Sequence, residues 1–341
     1  MKKIILVFVI IIAGIIIYAG WNVFGPTVSA PESRFFYIRS GAKYDEVKNS
    51  LKEKKIISNT FLFDKLATRL KYNQNVKAGK YEIKEGSSML SLVRMLKTGR
   101  QSPVKLVINK LRTKEDLAQK IGTNFEADST EVMAFLTNND SLAEYKLDTN
   151  TAMTIVIPNT YFMSWNGSFK KIFKRLTNEH DKFWTDERLK KAAALDLSPV
   201  KVYTMASIVE EETNYKTDKG LIASVYVNRI RKGMKLEADP TVKYAMRNFG
   251  LKRILHGHLK FQSPYNTYQN TGLPPGPICT PSSNTIDAVL DAPQTDYIFF
   301  VAKPDFKGYS NFASTYTEHL SFARAYQKAL DSLIISKKNN K

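Results

Sequence analysis

The chain has 341 residues, 43% of them hydrophobic and 24% charged. That is enough apolar material for about two packed domains, and it excludes a disordered or low-complexity chain. Its 51 Lys and Arg against 32 Asp and Glu leave a net charge of +19, so an anionic neighbour is expected, whether nucleic acid, a membrane face or an acidic polymer. Cys279 is the single cysteine, which excludes an intramolecular disulfide framework and leaves stability to packing.

The N-terminus speaks to compartment. Lys2 and Lys3 precede an uncharged apolar run from Ile4 to Phe24, long enough as a helix to cross a hydrocarbon core of roughly 30 Å. The next charges are Glu32 and Arg34. The positive-inside rule then leaves residues 1–3 as a cytoplasmic stub, 4–24 as a single-pass anchor in the cell membrane, and the bulk of the chain on the extracytoplasmic side. Trp21, at the outer end, suits an interfacial anchor. A cleaved signal peptide is the competing reading, because Val28-Ser29-Ala30 supplies the small residues of a cleavage site. Against it, Pro31 would follow the cut and the apolar run is longer than an ordinary signal core. An exported location removes nucleic acid as the expected partner and turns the basic charge toward anionic lipid or wall polymer.

After a short spacer bearing Pro and Ser, three stretches repeat: "YIRSGAKYDEVKNSLK" (37–52), "IKEGSSMLSLVRMLK" (83–97) and "INKLRTKEDLAQKI" (108–121). The first two align Ile38 with Ile83, Gly41 with Gly86, Val47 with Leu92 and Leu51 with Leu96, and the third puts Leu111 in place of the glycine. Each predicts a short strand, a turn and a helix. Such units resemble the LysM-like modules that precede the catalytic part of some cell-wall enzymes, and small α+β packing units without a ligand fit equally well. Residues 32–155 form this N-terminal region and 156–335 a second domain, with the boundary falling loosely between 150 and 165. "VKLVIN" (104–109) and "TIVIPNTY" (154–161, ending at Pro158) predict strands, and "SFKKIFKRLTNEHDKFW" an amphipathic helix with Phe169, Ile172, Phe173 and Leu176 inward.

From Ser198 the helix signals sharpen. Ser198 and Pro199 open a helix that Thr213-Asn214 weakens, Asp218 caps the next, which Gly233 stops, and Asp239-Pro240 opens a third that runs to Gly250. "QSPYNTYQNTGLPPGPICTPSS" is a tract too long for mere connection, and a site-forming loop is the expectation. "YIFFVAKPDFKGYSNFA" predicts a hairpin with a buried first strand, and "YTEHLSFARAYQKALDSLI" a closing helix. The whole is an α+β chain with an N-terminal transmembrane helix.

The helix after Ser198 ends in "EEE". At 100° per residue Val202, Met205, Ala206 and Val209 share one stripe, with Glu211 opposite and Glu210 and Glu212 on its two borders. A border carboxyl is partly desolvated, beside like charges and near a helix C-terminus, all of which favour the protonated form that a general acid needs at neutral pH. Pairing with Lys or Arg from neighbouring elements is the alternative, and helix geometry does not separate Glu210 from Glu212. His256 and His258 lack a third ligand, so no metal site is expected. No phosphate-cradling Gly-rich loop, nucleophile elbow or H-E-x-x-H pattern occurs, which removes the usual support for hydride transfer, NTP use and metalloprotease chemistry.

"ASIVEEET" (206–213), "VYVNRIRKGMKLEADPTVKYA" (225–245), "YNTYQNTGLPPGPICTPS" (265–282) and "YIFFVA" (297–302), in this order and spacing, resemble the endolytic murein transglycosylases, the MltG or YceG-like family. The resemblance implies that Glu210, the first Glu after Ser-Ile-Val, is the catalytic acid of a single-glutamate lyase. That lyase cuts the MurNAc–GlcNAc bond of peptidoglycan, closes a 1,6-anhydro ring, and needs neither metal nor organic cofactor. Implied partners are nascent glycan strands, the membrane through residues 4–24, and glycan synthases whose strands the cut would end. Glu212, Glu237, Asp239, Asn266 and Tyr268 are the expected substrate-binding residues, Asp239 also capping its helix. Glu237 stands where the family often has Gln, which keeps open a muramidase with Glu237 or Asp239 activating water. Asn159 in "PNTY" replaces the Asp of a Pro-Asp-Thr-Tyr pattern. A glycan-binding tether without catalysis is the third reading.

Overall fold

The computed structural model describes residues 2–339, with side chains of the last helix through Ile335. The residues divide into two units, and the chain crosses between them more than once. The first holds the residues through Leu106 with 121–128 and 161–168, and the second holds 107–120, 129–160 and those from Phe169 on. Residues 107–120 and 129–155, which the sequence reading grouped with the N-terminal region, therefore associate with the second unit.

In the first unit, α1 (Lys2–Phe24) is apolar along its length, and none of its residues is buried against protein. It is long and apolar enough to cross a membrane. The stretch after it is pinned rather than a free spacer. Val28 is 1% exposed; its N–H donates to Ser87 O and its carbonyl accepts from Gly86 N, both at 3.0 Å. Strand β1 (Phe35–Ile38) pairs antiparallel with β2 (Gly79–Glu82), Phe35 opposite Glu82 and Ile38 opposite Gly79. Helices α2 (Tyr44–Glu53) and α3 (Thr60–Arg69) lie between the strands in sequence, and α4 (Met89–Thr98) follows them.

The repeat has a physical basis. Ile38, Val47 and Leu51 in one copy, and Ile83, Leu92 and Leu96 in the other, are all buried in one apolar cluster. Gly41 and Gly86 both take a positive φ, +80° and +69°, to turn the chain from extended backbone into helix. The third copy yields β3 (Val104–Ile108) and α5 (Lys114–Asn124), which lie where the chain passes between units.

The second unit is mostly helical: α6 (Ser129–Leu136), α7 (Asn139–Ala143), α8 (Phe169–Phe183), α9 (Asp186–Ala194), α10 (Pro199–Glu212), α11 (Lys216–Arg231), α12 (Asp239–Ala245), α13 (Ser283–Leu290) and α14 (Tyr316–Asn339). Phe169, Ile172, Phe173 and Leu176 of α8 are buried as the spacing predicts. The strand expected to end at Pro158 instead begins after it: residues 152–155 form a 3-10 turn, and β4 (Asn159–Met163) starts one residue past the proline, whose missing N–H serves no ladder. Strands β5 (Phe299–Ala302) and β6 (Ser310–Ala313) make the expected hairpin, Phe299 opposite Ala313, but β5 is half-buried rather than buried. Asp218 does not cap α11. It lies buried in the first turn, where its carboxylate accepts from Ser310 N at 2.7 Å and ties the helix to β6. Helix α12 stops at Ala245, short of Gly250, because Arg247 turns left-handed at φ +54°.

Candidate active site

Helix α10 builds the site. Ser198 Oγ accepts from Lys201 N at 3.3 Å, and Pro199 fills the first helical position, where its missing N–H costs nothing. Every residue from Val202 to Val209 is buried, because α9, α11, α12 and α13 contact the helix. The one-sided stripe read from the sequence is thus a correction: this helix is enclosed on all sides. Its polar residues there are satisfied. Thr204 Oγ1 donates to Val200 O at 2.8 Å, and Ser207 Oγ donates to Thr204 O at 2.7 Å while accepting from Ile278 N at 3.0 Å.

That last bond stitches the Pro-rich tract to α10. Cys279 is buried beside it with its thiol pKa pushed up by desolvation. Thr280 N donates to Leu111 O at 2.7 Å, and Thr280 Oγ1 accepts from Leu111 N at 2.9 Å. Gly276 runs so close to Asn150 that a Cβ would collide with its carbonyl, so the glycine is required by close approach. The tract delivers Ser282 and then Thr285, at the start of α13, to the end of α10.

There Glu210, its side chain 15% exposed, receives three donors on one oxygen. Lys219 Nζ lies 2.9 Å from Oε2 and Ser282 Oγ 3.1 Å from it, and Thr285 Oγ1 donates to the same atom in a short bond. Lys219, itself buried, also donates to Thr285 Oγ1 at 2.6 Å. Among the described residues, no protein donor reaches Oε1. Burial pushes the Glu210 carboxyl up, but the bonds from Thr285, Lys219 and Ser282 outweigh it, and the group lies below the usual carboxylate value. The raised value expected for this residue is therefore overturned: Glu210 is ionised at neutral pH in the free protein.

Glu212 carries the raised value instead. Desolvation pushes its carboxyl up to about 7, Tyr226 OH donating to Oε1 at 2.8 Å opposes this, and the charge of Asp239 adds to it. Glu211, predicted to point away from the core, is 17% exposed and is held by Lys110 Nζ and Arg112 Nη2, each at 3.1 Å. All three glutamates, with Lys110, Thr213, Asn214, Tyr215 and Gly308, line an open cleft of about 360 Å³. Gly308, at φ +87° in the β5–β6 turn, abuts the Tyr215 ring so closely that no side chain fits there.

The other expected residues lie outside this lining. Glu237 is exposed at φ +55° and accepts from Arg229 Nη1 at 3.0 Å. Asp239 is the first residue of α12 with Ala238 as cap; it makes no capping bond and accepts from Tyr268 OH at 2.7 Å. Burial, then that bond, pushes the Tyr268 phenol well up. Asn266 is fully buried. Its amide donates to Leu259 O at 3.0 Å and Phe261 O at 2.7 Å, and its oxygen accepts from Tyr268 N, so it shapes the loop rather than facing a ligand. His258 Nδ1 accepts from Leu255 N at 3.2 Å, a turn contact. Sequence reasoning missed Lys219, Ser282 and Thr285, which hold Glu210, and Arg229, which clasps the carbonyls of Ile298, Lys235 and Leu236. Nothing in the local sequence marks Lys219, which stands in the polar first turn Lys216-Thr217-Asp218-Lys219 of α11.

Known proteins give the site a context. A family model described as the YceG-like family matches residues 36–325. The chain is similar to an endolytic murein transglycosylase of Bacillus subtilis, 29% identical over 323 residues, 89% of this chain and 85% of that protein. It is also similar to an endolytic murein transglycosylase of Streptococcus pneumoniae, 26% identical over 305 residues, 78% of this chain but 53% of that protein, so it spans about half the pneumococcal relative. A crystal structure of a yceG-like protein from Listeria monocytogenes superposes with a TM-score of 0.55 at 29% identity, covering 84% of this chain and 98% of that one. Since the match runs through the residues of both units and across the whole cleft, the chain belongs to the YceG-like family.

Proposed function

We propose that the protein is a membrane-anchored peptidoglycan lytic transglycosylase in which Glu210 is the reacting carboxylate. The observation that carries this reading is the donor set on Glu210. Three donors converge on Oε2, so the carboxyl is locked in orientation while Oε1 is left for a substrate at the cleft. The relatives named as endolytic murein transglycosylases supply the substrate class, murein glycan.

In the reaction, the bond between C1 of N-acetylmuramic acid and the bridging oxygen breaks, and that oxygen takes a proton. The muramic C6 hydroxyl attacks C1 and loses its proton to a carboxylate, so a 1,6-anhydro ring forms and no water is consumed. With Glu210 as sole acid and base, its donor form arises only on binding glycan, when exclusion of water adds to the desolvation already acting on the carboxyl. Ser282, Thr285 and Lys219 keep the group aimed while it gives and then regains the proton.

A second reading is favoured by Glu212, which holds a proton up to about pH 7 on the same cleft. Here Glu212 donates and the ionised Glu210 accepts from the C6 hydroxyl. A muramidase would instead use Glu237 or Asp239 on water, and neither lines the cleft. Helix α1 serves as the membrane tether, the first unit as a LysM-like glycan-binding or spacing module, and glycan synthases as neighbours whose strands are cut short.

Digestion of purified peptidoglycan followed by mass analysis of the ends tests all of this. Anhydro-muramic ends from wild type, and their loss in Glu210→Gln, are the expected results. Reducing ends would establish hydrolysis, and strong cutting by Glu210→Gln would reject the assignment. Comparable loss in Glu210→Gln and Glu212→Gln would favour the two-carboxylate lyase.

A further inference from the structure

Where α1 ends, the first unit carries a second cavity, about 690 Å³ in volume, that the glycan reaction does not use. Phe24, the last residue of α1, forms part of its wall. Only residues 25–27 separate that helix from the pinned Val28, a reach of about 10 Å even when extended. The turn is itself fixed: Gly25 N donates to Trp21 O at 2.7 Å, and Thr27 Oγ1 donates to Asn22 O at 3.3 Å. If α1 spans a bilayer, as proposed above, the groove is held at the depth of the headgroups, a layer of several ångströms beyond the hydrocarbon.

The lining has two characters. Lys84, Arg94 and Arg100 are exposed, and among the described residues none of their side chains forms an ion pair. Glu82 is the one carboxylate beside them. Three cations against one anion leave an excess positive charge, and Phe24, Leu90 and Met95 provide apolar surface next to it. Unpaired cations adjoining an apolar wall match an amphiphile whose phosphate sits beside its acyl chains.

We propose that this groove binds the headgroup of an anionic phospholipid of the outer leaflet, with Arg94 and Arg100 holding the phosphate and Phe24 and Met95 lying against the proximal acyl carbons. The inference rests on α1 being a membrane anchor. The lipid fixes the height and tilt of the first unit at the bilayer surface.

The full chain, reconstituted in nanodiscs containing phosphatidylglycerol and phosphatidylcholine, tests this through native mass spectrometry of the lipids retained on release. Wild type is expected to retain phosphatidylglycerol preferentially. Arg94→Gln with Arg100→Gln should weaken that retention about fivefold per charge, and Lys84→Gln alone about fivefold. Lys65→Gln with Arg69→Gln removes the same charge from exposed positions on α3 outside the groove and should leave it unchanged. Equal losses in both double variants, no preference over phosphatidylcholine, or displacement of the lipid by soluble glycan fragments would each overturn the site. Release of the chain from membranes by alkaline carbonate would instead remove the anchor itself, and the groove's role with it. All substituted side chains are exposed, so a circular dichroism melt matching wild type is expected.

Discussion

Glu210 and Glu212 leave the same helix two residues apart and meet opposite surroundings. On one side a buried ammonium and two hydroxyls, delivered by α11 and by the start of α13, hold a carboxylate ionised. On the other a single phenol faces a carboxyl whose desolvation, reinforced by Asp239, keeps its proton to about pH 7. Helix position gave the two residues equal standing. What separates them is which neighbours bring donors: at Glu210 the bonds from Thr285, Lys219 and Ser282 together outweigh the effect of burial.

The sharpest way to break this comparison is Glu210→Gln, which keeps the size and most of the hydrogen bonds of the side chain. A fall of about a hundred- to ten-thousand-fold in release of anhydro ends is expected from loss of an acid–base group, together with a lower melting temperature because the buried Lys219 ammonium loses its carboxylate, so activity is compared at a temperature where both proteins are folded. Lys219→Met comes next. It leaves Glu210 buried without its cation and should cost roughly 3–5 kcal/mol in urea unfolding at pH 7. The pH–rate limb due to Glu210 should also move upward, because its largest charge partner is gone. An unshifted limb would show that Lys219 does not act on the reacting group.

Glu212 gives a prediction of opposite sign. Its folded pKa, about 7, lies above the ordinary carboxylate value, so the folded state binds the proton more tightly than the unfolded one. Stability associated with it is fully present below pH 4 to 5 and is lost as pH rises toward 7. Glu212→Gln removes that loss: the variant should gain roughly 3 kcal/mol over wild type at pH 8 and little at pH 4. A constant difference across that range would mean that Glu212 titrates normally. The smallest effect belongs to Arg112→Ala. Arg112 is 39% exposed and pairs with Glu211, which retains Lys110, so a change of about 0–1 kcal/mol is expected, shrinking in high salt.

Legibility tracked the range of the interaction concerned. Ser198, Pro199 and Thr213 bound α10 as read, since caps and turns act within one helical turn. The repeated Gly41 and Gly86 marked two genuine strand-to-helix turns, because a left-handed residue is a local requirement. The stripe on α10 misled, because one-sided patterning assumes a solvent face and from Val202 to Val209 this helix has none. Asp218 and Asp239 both read as caps and are not. Each is drawn by a distant partner, Ser310 N in one case and Tyr268 OH in the other, which no local rule anticipates. Asn266 read as a sugar ligand, yet it is fully buried, both its amide hydrogens go to the loop that contains it, and its oxygen accepts from Tyr268 N.

The amino-acid order by itself determined the apolar helix, the element boundaries set by capping and glycine, and the carboxylate cluster at the end of α10, all of which depend on residues a few positions apart. Tertiary structure alone decided which carboxylate is charged. Lys219 is nine residues from Glu210 and Thr285 is seventy-five. Charge state is governed by distances of about 3 Å and by exclusion of water, and a chain acquires both only when it packs.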